Sequence, residues 1–365
     1  MGLVQIANYV LPLVSLPVYS RIIGPEKFGV INYAAAFVSY FSILIGYGFD
    51  YTATRQIAKD PTNTDLRNRV FSEVFAAQMF LCGISIIIFV GSMLTVPPLA
   101  SDKPVAIYSF LLCISCVFSQ NWLFQAMQNL SKVALFSFIG KLLFTILIMI
   151  TVRQQSDYWW QPLLTGAIGV FVALLSFFWA IKEYQLKLVK VAFSKVRELL
   201  WNEKTIFFST IVISLYTTTN TVVLGLMKPE SDVGYYSAAQ RLIDVANRLM
   251  NIPLAQVLFP FIGFALGQSR ANGIQVVQRM LPLIVLLTGA FSLGMFLFGP
   301  TVLVWFYGDA FLPCIPVFRI LAWVPLVIAL NNIFIVQLML NLKMDKMVFY
   351  VCAGGAVLGL SLIHI

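Results

Sequence analysis

Residues 240–248 read Gln240-Arg241-Leu242-Ile243-Asp244-Val245-Ala246-Asn247-Arg248. Arg241, Asp244 and Arg248 stand at i, i+3 and i+7, which on a helix is one face. A guanidinium is a planar fork that donates two parallel hydrogen bonds, a geometry matched to phosphate. Two Arg against one Asp leave a positive surplus, so this face offers binding of an anion. The alternative is that Asp244 pairs with one Arg and the group ties helices together.

Other polar residues are scattered through apolar surroundings. Lys141 stands alone in one apolar run, where it either lines a cavity or snorkels outward. Thr217-Thr218-Thr219-Asn220-Thr221 interrupts another. Thr218 and Asn220, with Asn247, are candidates for a polar path, although such residues also serve as packing glue between helices. Gln120, Asn121 and Gln125 carry the same two readings. Asp244, Asp50 and Glu73 are the carboxylates that could carry a coupling proton or sodium ion; each is also an ordinary salt-bridge candidate. The Cys113-x-x-Cys116 pair sits within an apolar run and reads as small residues on a helix face. The lone His364 leaves no His-based triad and no zinc site. No Walker-type loop is present, so neither a nucleotide nor another cofactor is expected.

The elements that hold these residues follow from composition. Of 365 residues, 60% are hydrophobic and 11% charged, whereas soluble domains carry about 25% charge. The apolar residues come in runs of about 18–22, long enough to cross a hydrocarbon core. Inside such a core each backbone polar group must be paired within its own segment, so the runs are helices. The expected class is an all-α polytopic membrane bundle. Eleven spans are predicted, near 4–22, 28–48, 72–96, 105–127, 134–152, 162–181, 206–226, 234–257, 280–298, 316–336 and 348–365. Measured from Gly234, Arg248 then lies about 21 Å along its helix, deep in the bilayer. Charge there must face protein or a wet cavity.

The net charge of +9 reads as topogenic, not as a nucleic-acid signature. Fifteen Lys and Arg fall in loops after even-numbered spans and five in loops after odd-numbered ones. That asymmetry predicts a cytoplasmic N-terminus in a bacterial inner membrane. Met1 leads into an apolar stretch with no basic flank or cleavage site, so no cleavable signal is expected. The first span lacks a basic flank and the last stops mid-run at Ile365, which suggests a fragment of a longer chain.

A short echo runs through the chain. Gly24-Pro25-Glu26-Lys27-Phe28-Gly29 precedes Tyr33-Ala34-Ala35. Pro229-Glu230-Ser231-Asp232-Val233-Gly234 precedes Tyr235-Tyr236 and Ala238-Ala239. An offset of six spans with unchanged sidedness implies two parallel six-helix halves around a central cavity. The expected division is an N-terminal lobe at 1–181, a basic cytoplasmic linker at 182–205 and an incomplete C-terminal lobe at 206–365. Pro12, Pro17, Pro253, Pro282 and Pro325 fall inside apolar runs and bend helices there.

Three stretches carry a family resemblance. Tyr19-Ser20-Arg21-Ile22-Ile23-Gly24-Pro25-Glu26-Lys27-Phe28-Gly29 resembles the end of the first helix of Wzx-type polysaccharide flippases. Gly46-Tyr47-Gly48-Phe49-Asp50-Tyr51-Thr52-Ala53-Thr54-Arg55-Gln56-Ile57-Ala58 resembles the cytoplasmic end of the second. Val233-Gly234-Tyr235-Tyr236-Ser237-Ala238-Ala239-Gln240-Arg241-Leu242-Ile243 resembles the start of the eighth. The resemblance implies the multidrug/oligosaccharidyl-lipid/polysaccharide exporter superfamily, with two six-helix lobes and alternating access. It implies transport of undecaprenyl-pyrophosphate-linked oligosaccharide, such as O-antigen repeat units for lipopolysaccharide biosynthesis, driven by a proton or sodium gradient. A glycan polymerase and a chain-length regulator are its implied partners. By motif position Arg21, Arg55, Arg241 and Arg248 become candidates to hold the pyrophosphate, and Lys141, if it lines the same cavity, joins them. The competing readings are a multidrug or cation antiporter of the same superfamily, a peptidoglycan-precursor flippase, a membrane-embedded glycan polymerase or ligase, and a structural scaffold.

Overall fold

The computed structural model describes residues 2–340 and, beyond them, residues 342, 344, 347, 350, 351 and 354. The expected eleventh span at 348–365, with Cys352 and His364, therefore lies almost wholly outside the described residues. Among the described residues every regular element is a helix. In order the chain forms α1 (Gly2–Gly46), α2 (Phe49–Ala58), α3 (Thr64–Thr95), α4 (Pro97–Ala100), α5 (Lys103–Phe118), α6 (Asn121–Ala126) and α7 (Leu130–Thr151). A 3-10 turn (Gln155–Trp159) leads to α8 (Trp160–Glu183), α9 (Phe193–Thr217), α10 (Thr219–Met227), α11 (Glu230–Gln268) and α12 (Arg270–Tyr307). A second 3-10 turn (Asp309–Cys314), α13 (Ile315–Leu321), α14 (Val324–Asn331) and a π-helical stretch (Asn332–Leu340) complete it. Seven stretches among the described residues are long and apolar enough to cross a membrane. The chain is a multi-pass helical membrane protein, as its composition requires.

The chain divides into two compact units, Met1–Val233 and Gly234–Ile365. In the first, α1 is the spine. It is broken at Gly24, whose φ of 75° and ψ of 172° are not helical. Glycine reaches this region without a Cβ penalty, and Pro25 then supplies the φ of a new helix start. The two arms of α1 thus match the first two expected spans. At the far end of the second arm Tyr47 and Gly48 both take positive φ and turn the chain into the short helix α2. Some 22 residues of helix separate Gly24 from Gly46, about 33 Å at 1.5 Å per residue.

Side chains reach across the first unit to backbone carbonyls. Tyr47 OH donates to Leu200 O (3.1 Å) and its ring stacks on Phe207 at 4.3 Å between centroids. Thr54 Oγ1 donates to Trp122 O (3.0 Å), tying α2 to α6. Cys113 and Cys116 point their sulfurs at the carbonyls of Val38 and Ser42, each at 3.7 Å, so they pack α5 on α1. The expected boundary at 182–205 lies inside this unit. The segment after α8 is pinned to α3, where Lys187 N–H donates to Asn68 Oδ1 and Val189 N–H to Ser72 Oγ, both at 2.9 Å.

In the second unit α11 packs through Ala238, Ala239, Ile243 and Ala246, all buried. Tyr307 OH on α12 donates to Ala238 O (3.2 Å), and Cys314 Sγ donates to Tyr235 O (3.0 Å). α11 runs to Gln268, beyond the expected end near 257. It stops where Ser269 caps α12, its side chain accepting from Asn272 N–H at 3.1 Å.

Candidate functional site

The charged segment of α11 forms one continuous polar side of the helix. Asp244 and Arg248 are exposed and Arg241 and Asn247 are half-buried, whereas the opposite side is the buried Ala/Ile face. One turn further on, Asn251 is buried. Its amide donates to Asn247 Oδ1 (3.1 Å) and to Pro325 O on α14 (3.2 Å). Asn251 therefore fixes Asn247 and steadies the helix beneath the two arginines. The sequence reading passed over Asn251, although Asn at i+4 from Asn247 was the available signal.

From Glu230, where α11 begins, Arg241 lies about 16 Å and Arg248 about 27 Å along the axis. An arginine that faced lipid at the centre of a membrane helix would cost roughly 2.5–3.5 kcal/mol, so the side of α11 that carries Arg241 and Arg248 suits water or a polar ligand better than lipid tails.

The remaining site residues lie in the first unit and are spread along it. Arg21 is exposed, three residues before the Gly24 break. Asp50 and Arg55 are exposed on α2, at the opposite end of the second arm. Within α2, Asp50 stands in the first turn and Arg55 in the last, each placed to favour the helix dipole. With about 33 Å of helix between them, Arg21 and Arg55 cannot grip one pyrophosphate together. Glu73 is half-buried on α3, beside Ser72 where the linker docks.

Lys141 has a partner that the sequence did not suggest. Its Nζ donates to the carbonyl of Asn8 at 2.9 Å. In a regular helix that carbonyl would accept from residue 12, but residue 12 is proline and has no N–H. Lys141 fills the vacancy. Around it, Asn8 Nδ2 donates to Ala134 O (3.2 Å) and Thr145 Oγ1 to Leu11 O (3.4 Å). A proline four residues after a carbonyl that needs a donor was the legible half of this arrangement.

The Thr/Asn run marks a helix break. α9 ends at Thr217 and α10 starts at Thr219, so the expected seventh span is two helices. Thr219 Oγ1 and Tyr40 OH are 2.6 Å apart, which ties α10 to α1. Thr218 and Asn220 flank that bond and are half-buried.

Similarity to known proteins agrees with this construction. Residues 1–264 match the family model described as polysaccharide biosynthesis protein. A protein of Escherichia coli (strain K12) is 29% identical over the full length of this chain and 87% of its own. One of Shigella dysenteriae is 26% identical over 75% of this chain and 68% of its own. Both carry the name "Putative O-antigen transporter". A solved multidrug resistance MATE family transporter of the MOP superfamily superposes with a TM-score of 0.69. It covers 94% of this chain and 83% of its own at 13% identity, so the fold is shared. With its three motifs, its helical fold and this family match in agreement, the chain belongs to the polysaccharide biosynthesis protein family, as its Wzx-type resemblance implied.

Proposed function

We propose that the protein is a flippase, not an enzyme. It carries undecaprenyl-pyrophosphate-linked oligosaccharide, an O-antigen or similar surface-polysaccharide unit, from the cytoplasmic to the periplasmic leaflet of the inner membrane. The observation that carries this reading is the polar side of α11, which brings Arg241, Asp244 and Arg248 onto one face and leaves Asp244 and Arg248 exposed. A sugar–pyrophosphate headgroup cannot cross hydrocarbon unaided, because an unpaired buried charge costs several kcal/mol or more. Guanidinium groups in a wet cavity replace its hydration, while the polyprenyl tail stays in the bilayer. The names of the relatives support the cargo class.

In this reading the dispersed cations serve successive positions of the headgroup. Arg241 and Arg248 bind the pyrophosphate on the second unit, and Arg21 and Arg55 are the candidates on the first. The N-terminus is cytoplasmic, as the basic-residue asymmetry favours. Alternating access between two parallel six-helix lobes moves the site, with Thr218, Asn220 and Asn247 along the polar path. A proton or sodium gradient drives it through Asp244, with Asp50 and Glu73 as the other coupling candidates. A glycan polymerase and chain-length regulator take the product.

The fold likeness to a multidrug transporter favours a second reading, export of cationic drugs. Drug cations call for acidic cavities, whereas α11 presents two arginines against one aspartate. The deciding experiment deletes the gene in its source bacterium and locates the lipid-linked units. Their accumulation on the cytoplasmic leaflet, with loss of surface glycan and rescue by the intact gene, supports the flippase. Units that reach the outer leaflet but stay unpolymerised point instead to a polymerase or ligase. Normal glycan with heightened drug sensitivity points to the antiporter.

A further inference from the structure

The basic segment between α8 and α9 is not a loose tether. Its two backbone bonds to Asn68 and Ser72 of α3 pin residues 187–189, and Leu188 and Val189 are left 59% and 51% exposed. α9 then continues as a two-sided helix. Val196 is buried and Phe207 lies under Tyr47. On the other side Phe193, Arg197, Trp201, Lys204 and Phe208 follow at helical spacing. Phe193, Trp201 and Phe208 are 62%, 68% and 60% exposed, and Lys204 Nζ sits 3.3 Å from the Trp201 ring centroid. Lys187, Lys190, Lys195 and Arg197 are exposed among these apolar residues.

A face of this composition fits neither water nor hydrocarbon. Exposed aromatics in a contiguous patch are unfavourable in water, and five basic residues with Glu198 and Glu203 are unfavourable in lipid tails even though Lys195 Nζ pairs with Glu198 Oε2 at 2.9 Å. The layer that satisfies both is the headgroup region, where amphipathic rings and long basic side chains are enriched. A second marker lies at the same end of the first unit: Lys132 Nζ is 4.0 Å from the ring centroid of Trp179, itself four residues before Glu183, where α8 ends. Two tryptophans capped by lysines, one beside each flank of the linker, set the depth of the interface.

We infer that residues 187–208 form a docking platform for the phosphodiester headgroups of anionic phospholipid, with Lys187, Lys190 and Arg197 as the charges that select them. Phe193, Trp201 and Phe208 lie between the acyl chains. The platform is fixed to α3 and α1, so the lipid it holds bears on the unit that carries it. This holds whatever cargo the protein moves.

The test uses the full chain purified and reconstituted in nanodiscs containing palmitoyl-oleoyl phosphatidylglycerol and palmitoyl-oleoyl phosphatidylcholine. Native mass spectrometry reads which lipid is retained. Wild type should prefer phosphatidylglycerol. The triple variant Lys187→Gln, Lys190→Gln, Arg197→Gln should lose that preference by about five-fold or more, on the scale of one interfacial charge. A matched triple variant at the Gly24 end, Lys103→Gln, Arg153→Gln, Lys228→Gln, removes the same charge and should keep it. Equal loss in both triples, or loss in neither, overturns the proposal. Brominated phosphatidylglycerol should quench wild-type tryptophan fluorescence more than that of Trp201→Phe. If Trp201 escapes the bromolipid and is reached by aqueous acrylamide, the face is in water, where a protein would be its partner, and the lipid assignment fails.

Discussion

Lys141 and Arg248 are both cations on helices that the sequence places inside the bilayer, yet the two units use them differently. In the first unit Lys141 is spent on structure: its Nζ takes the carbonyl that Pro12 leaves free, 2.9 Å away. In the second unit Arg248 is exposed on α11 beside Asp244, and Asn251 one turn on ties α11 to α14. Depth alone therefore does not identify a ligand-binding cation. What separates the two is the contact each makes: Lys141 donates to a backbone carbonyl of another helix, whereas Arg248 is exposed beside Asp244. A proline at i+4 is not the difference, because Pro253 removes the helical donor of the Leu249 carbonyl as Pro12 removes that of Asn8.

The largest expected effect falls on α11. Arg241→Ala and Arg248→Ala should each lower glycan export about tenfold or more, since each removes a bidentate charge-assisted contact, while the protein still accumulates in the membrane. Export is read from surface glycan and the leaflet occupied by lipid-linked units. Arg248→Lys should recover only part, because an ammonium keeps the charge but not the fork. Normal export in both alanine variants would remove α11 as the anion site and leave the first-unit cations to account for binding.

Lys141 should behave in the opposite way. Lys141→Met leaves the Asn8 carbonyl buried without its donor, which costs about 1–3 kcal/mol. The expected result is a lower thermal midpoint with export retained at permissive temperature. Restoring the missing N–H with Pro12→Ala in the same chain should return most of the loss. If Lys141→Met instead keeps full stability and abolishes export, the lysine belongs with the arginines and the contrast between the units collapses.

The sequence carried the spans because an apolar run of fixed length has one solution in a membrane. It also carried the Gly24 break, since Gly-Pro states both the left-handed turn and the new helix start. The Thr218 break was not visible: threonine is tolerated in membrane helices, and only the Tyr40 hydroxyl across the interface reveals the contact. The helical start of α9 at Phe193 was hidden for another reason. Its charge marked it as a loop, yet the amphipathic period Phe193, Arg197, Trp201 was already there. The face of α11 was legible from i, i+3, i+7 spacing, because a helix fixes which residues share a side. Asn8 and Lys141, 133 positions apart, share no local pattern that could join them, so only the packing of α1 on α7 could.

The smallest effect tests whether net positive charge by itself explains any of this. Lys103 is exposed at the first position of α5, with Asp102 capping the helix through Val105 N–H at 3.4 Å. Among the described residues the ammonium makes no hydrogen bond or ion pair, and an exposed substitution of this kind stays within about 0.5 kcal/mol. The lysine does sit at a helix N-terminus, where positive charge is mildly unfavourable. Lys103→Ala should accordingly leave export unchanged and leave the thermal midpoint level or slightly raised. A loss of export comparable to that of Arg248→Ala would show that transport follows total charge, and the distinction between an open arginine face and a structural lysine would then explain nothing about cargo.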